Sequence, residues 1–155
     1  MLNRLLYEPY YTVEIILTEV VQLTKATGKR LMTWGVASIA IGMIMFWGSQ
    51  WTVFGGIGLQ AIIWGGIDAV IAASMIFKKR EQSIADITRT VSRSMYLDII
   101  FQVAGLIVIV AFLQDPYLMG NGIGVFIQGL FLLILDRTYY NSLRKLEAQN
   151  NDTAI

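Results

Sequence analysis

The sequence predicts an all-α membrane protein. It would hold four transmembrane helices as two duplicated hairpins, a parallel repeat, each hairpin preceded by a cytoplasmic amphipathic helix. Three observations carry this expectation. First, the 155 residues are 55% hydrophobic and only 15% charged, with mean hydropathy +0.59, where a soluble domain carries roughly 25% charged residues. Second, Lys and Arg are absent from two long windows, 31–77 and 94–136. Third, a spaced motif occurs once in each window. A soluble core of this apolar content would need polar helices to wrap it, and the chain lacks them.

The elements follow in order. Residues 1–30 read as an amphipathic interfacial segment. Val13, Ile16, Leu17, Val20 and Val21 recur at helical spacing, with Glu14, Thr18, Glu19 and Gln22 on the other face. The window 31–77 contains a single charge, Asp68, and is too long for one spanning helix of about 20 residues. It breaks at Gly48-Ser49-Gln50-Trp51, which gives spans near 31–48 and 52–77. The connector 78–94 repeats the amphipathic theme, with Ile84, Ile87, Val91 and Met95 as stripe and Asp86, Arg89 and Arg93 as polar face. The window 95–136 breaks at Gln114-Asp115-Pro116, because proline disfavours helix at the residue before it. Its spans fall near 95–113 and 117–136. The tail 137–155 continues helically through Arg144-Lys145 and is expected to end in disorder at Asn-Asn-Asp-Thr.

Every Lys and Arg lies before the first window, in the connector or after the second window. The positive-inside rule then places both termini and the connector in the cytoplasm and both short turns outside. The first window is too long and too late in the chain for a cleaved signal peptide. Trp34, Trp47, Trp51, Tyr96, Tyr117, Tyr139 and Tyr140 fall near the expected helix ends, as an interfacial aromatic belt would.

The duplication rests on Gly-x3-Gln-x7-Asp. Gly56, Gln60 and Asp68 match Gly124, Gln128 and Asp136 at one offset, and Arg30, Met32 and Gly42 match Arg93, Met95 and Gly105 at a shorter one. A longer second outer turn would absorb the difference. Both units enter from the same side, unlike the inverted repeats of many transporters. The Gly-plus-Gln pattern ending in Leu-Leu-Ile-Leu-Asp, over about 120–140 and more loosely in the second helix, resembles uncharacterised four-helix bacterial integral membrane proteins, a domain-of-unknown-function family. That resemblance implies a topology and no activity.

Composition excludes several function classes. A net charge of +1 is not that of a nucleic-acid binder. Without cysteine there are no disulfides and no thiol chemistry. Without histidine the chain lacks the commonest metal ligand and neutral-pH proton shuttle. No cofactor or metal is expected, no catalytic constellation is visible, and an enzyme is the least expected class.

The candidate functional residues are the polar ones inside the spans: Gln60, Asp68, Asp98, Gln102, Gln128 and Asp136. Gln60 and Gln128 lie near glycines and read first as interhelical glue, and otherwise as the lining of a solute path. Gly56, Gly58, Gly65, Gly122, Gly124 and Gly129 are the expected helix-packing positions. Asp68 has two placements. By analogy with Asp136 it lies near the inner surface, paired with Arg30, Arg93 or Arg137. Alternatively it is buried and carries a proton or cation. Asp98 and Gln102 form an i, i+4 pair that would join Asp68 and Asp136 in an acidic ring, where snorkelling or interface pairing is favoured over cation binding.

The leading functional expectation is a small membrane protein acting through helix–helix association, as a homo-oligomer or an accessory subunit of a larger membrane complex, with the lipid bilayer as its other partner. The alternative is a small transporter or channel whose path is lined by Gln60, Gln128 and Asp68. A lipid- or pigment-associated structural protein is a third, disfavoured by the absence of axial histidine ligands.

Overall fold

Two four-residue turns organise the chain, and local chemistry builds both. In the first, Thr52 caps the following helix: its hydroxyl accepts from the Gly55 N–H at 3.3 Å and donates to the Ser49 carbonyl at 2.6 Å. The reversal is completed by Trp51 at φ 64°, a left-handed conformation that is uncommon for a side chain of this size. In the second, Asp115 accepts from the N–H groups of Tyr117 and Leu118 at 3.0 Å each, and Pro116 occupies the first helical position. A third cap opens the helix after the connector, where Ser83 accepts from the Asp86 N–H at 3.2 Å.

These caps delimit four helices: α1 (Leu2–Gly48), α2 (Val53–Phe77), α3 (Ile84–Ala111) and α4 (Pro116–Thr153). The computed structural model describes residues 2–77 and 83–153, with side chains over 15–77 and 83–150. No strand occurs among the described residues. All four helices are long and apolar enough to cross a membrane. Their outward faces carry large apolar side chains such as Ile44, Val70 and Val110, each more than two-thirds exposed. That surface suits lipid tails and not water.

The helices are longer than the expected spans. α1 runs unbroken for 47 residues, about 70 Å, so the segment expected to lie apart along the membrane surface is collinear with the first span. Nothing between Lys25 and Leu31 interrupts a helix except Gly28, which is tolerated in a helix interior. α3 likewise joins the amphipathic connector to the third span. The disorder expected at the C-terminus is also corrected: α4 continues through Thr153. Lys78, Lys79 and Arg80 of the connector, the side chain of Val13 and residues 154–155 lie outside the described residues.

The longer second outer turn is a further correction. Phe112 to Asp115 matches Ser49 to Thr52 in length, and the extra residues sit inside α4. Gly56 is the fourth residue of α2, whereas Gly124 is the ninth of α4. Asp115 and Pro116 start the helix early enough to take in the Gly120–Gly122 stretch.

α1 packs on α2 and α3 on α4, and α4 also meets α2 and α1. α2 and α3 are joined by the Trp64–Phe101 edge contact, ring centres 4.9 Å apart. The buried apolar cluster lies not at mid-span but toward the charged end. Ile16 and Val20 of α1, Val91 of α3, and Tyr139 and Leu143 of α4 form it, flanked by Ile84 and Ile87. The two amphipathic stripes thus close onto α4. Leu17 and Val21, the other half of the first stripe, remain exposed.

Candidate functional site

Glycine decides how closely the helices approach, and so which polar groups meet between them. A Cβ at Gly35 would stand 2.7 Å from the Gly65 carbonyl oxygen, and one at Gly65 would stand 2.6 Å from that of Gly35. Gly42 and Gly58 are related in the same way, as are Gly105 and Gly122. Gly56 fits against the backbone of Tyr117 and Gly120, Gly124 against Gln60, and Gly129 against Gln102. Each of the six expected packing glycines therefore faces a neighbouring helix of the same chain.

From the turns toward the charged end, polar side chains follow one another along the interior. Gln60 donates to the Asn121 side-chain oxygen at 2.8 Å, joining α2 to α4. About one turn further in, Trp34 Nε1 donates to Gln128 Oε1 at 2.7 Å, and the Gln128 amide reaches the Ser38 hydroxyl at 3.3 Å. Trp34 also stacks on Phe131 with ring centres 3.9 Å apart. Gln102 meets the Gly129 carbonyl at 3.4 Å. The two glutamines that the repeated frame equates thus bind different helices, Gln60 to α4 and Gln128 to α1.

The carboxylates come next. Asp68 is fully buried, and neither carboxylate oxygen has a hydrogen-bond partner. Asp98 is 6% exposed, with Oδ2 unpartnered. Asp136 is half-buried, and Asp98 lies within electrostatic reach of both other carboxylates. Beyond them the Thr24 and Tyr139 hydroxyls share a 2.7 Å hydrogen bond.

The pairing of Asp68 with Arg30, Arg93 or Arg137 is not found. All three arginines are exposed, and the sole ion pair among the described residues joins Arg144 to Glu147 at 2.7 Å. Helix geometry supplies the reason. Arg30 and Arg93 lie five residues before the inward-facing Gly35 and Asp98, about 140° round their helices. No group of three His, Cys, Asp or Glu side chains among the described residues could hold a metal ion.

Several of these groups escape a reading of the sequence. Trp34 and Tyr139, expected in the aromatic belt, turn into the bundle. Asn121, not singled out in the fourth span, lies in the second turn of α4 and partners Gln60. Ser38 is an isolated hydroxyl in an apolar stretch, and its link to Gln128 depends on a register between segments 90 positions apart.

A family of unknown function (DUF6992) matches residues 30–137. The chain belongs to that family. The match agrees with the resemblance noted from the fourth helix. No curated protein and no solved structure matches the chain. The family segment takes in Gln60, Asp68, Asp98, Gln102, Gln128 and Asp136, and stops short of Tyr139 and Leu143.

Proposed function

We propose that this family member is a small multi-pass membrane protein that carries protons on carboxylates inside the bilayer, with Asp68 as the central group. The observation that carries the reading is the burial of Asp68 with both oxygens unpartnered. An ionised carboxylate in that position costs several kcal/mol, and a bound proton removes the cost. Intramembrane carboxylates typically mark proton or ion routes. The proton is favoured over a metal ion because no three His, Cys, Asp or Glu side chains among the described residues come together as ligands. Gln60, Gln128 and Ser38 would form the outer part of the route, Asp98 and Asp136 the inner part.

In this reading both termini and the connector are cytoplasmic, on the distribution of Lys and Arg. In this reading the two hairpins descend from a duplication, on the motif that relates Gly56, Gln60 and Asp68 to Gly124, Gln128 and Asp136. Reconstituted in vesicles under a pH gradient, wild type should dissipate the gradient about tenfold faster, or more, than the near-isosteric Asp68→Asn. Equal rates for both, at the level of protein-free vesicles, remove the proposal.

A second reading, association as a homo-oligomer or accessory subunit, has Gly66 in its favour. A Cβ there would meet nothing within 4 Å, so this spanning-helix glycine is left open to a partner. Mass measurement in mild detergent should then give an assembly that Gly66→Leu disrupts. A strictly monomeric wild type without co-purifying chains counts against it.

A further inference from the structure

We infer that the charged ends of α3 and α4 form a binding site for a phosphate-bearing anion. A crevice of about 290 Å³ opens there between the two helices. Its lining includes Arg89 and Arg93 from α3 and Arg144 from α4, with Thr88, Ser92 and Tyr140 supplying hydroxyls.

Arg89 and Arg93 stand one turn apart, a like-charge spacing that destabilises an isolated helix. Neither has an ion-pair partner among the described residues. Arg144 alone is partly neutralised, by Glu147 at the crevice edge. A second and separate observation points to a missing ligand. Thr88 is 8% exposed, and its Oγ1 is the one buried hydroxyl without a hydrogen-bond partner among the described residues. An anion with several acceptor oxygens would satisfy the two free guanidinium groups and accept from the hydroxyls together. Arginine's planar fork matches phosphate oxygens in pairs.

The place in the fold favours a phosphate. Arg93 is five positions from the buried Asp98, where the apolar stretch of α3 begins, so in a bilayer the crevice opens at headgroup depth. Basic pockets between helices at that depth suit anionic headgroups. A free phosphate presents the same oxygens, and the experiment separates the two sources.

The test uses the full chain in nanodiscs of phosphatidylcholine, with and without phosphatidylglycerol, and native mass spectrometry to count retained lipid. Wild type should retain phosphatidylglycerol with about thirtyfold higher affinity than Arg89→Ala/Arg93→Ala, at roughly one kcal/mol per arginine near a membrane surface. Thr88→Val should weaken retention with both arginines intact. Calorimetric titration with inorganic phosphate forms the second arm. Binding that the double alanine variant loses assigns the site to free phosphate and still supports it. Circular dichroism and Arg89→Lys/Arg93→Lys, which keeps the charge, show whether a loss reflects misfolding. Equal retention of phosphatidylglycerol by wild type and the double alanine variant, with no phosphate binding to either, overturns the inference.

Discussion

Between Gly35 and Gly65 the backbones of α1 and α2 nearly touch, whereas around Leu143 whole side chains fill the space between α1, α3 and α4. The contrast follows the solvent. Apolar burial drives packing only where water is the alternative. Among lipid tails a leucine gains little by turning inward, so helices are held by close backbone approach and by buried polar links such as Trp34–Gln128–Ser38. Past Arg137 the sequence is charged again, and there Leu143 is the largest fully buried apolar side chain. One bundle thus uses two packing rules, and the change falls near the carboxylates.

Two substitutions test that division. The larger effect is expected from Gly65→Leu, because the new side chain would collide with the Gly35 carbonyl, which belongs to a helix backbone and cannot rotate away. The expected loss is about 4 kcal/mol or more, read from thermal unfolding in detergent as separation of the first hairpin. Leu143→Ala should cost less, about 2–3 kcal/mol, at the low end for a buried leucine because the cluster can partly relax. Its signature should be local: faster tryptic cleavage at Arg144 and Lys145, with helix content retained. If Leu143→Ala instead opened the glycine-packed half, or Gly65→Leu proved nearly silent, the two regions would not be packed by separate rules.

Much of this architecture is legible in the chain. The windows without Lys or Arg mark four spans, and both turns fall where Gly48-Ser49 and Asp115-Pro116 suggest. The continuity of α1 is not legible in the same way, because charge shows where water begins and says nothing about where a helix stops. The equal length of the two turns is harder to see, since Gly120 and Gly122 resemble turn residues until Asp115 is recognised as the cap. The acidic positions stand out as rare charges in apolar sequence. Whether arginines neutralise them depends on rotation about the helix axis, and a five-residue spacing turns Arg30 and Arg93 about 140° away from Gly35 and Asp98.

The unbroken course of α4 has a mechanical consequence. Its 38 residues make a rod about 57 Å long, nearly twice the thickness of a hydrocarbon core. Leu143 and Asp136 are two turns apart on almost the same face of that rod. A twist applied where Leu143 is gripped therefore turns the Asp136 carboxylate through nearly the same angle.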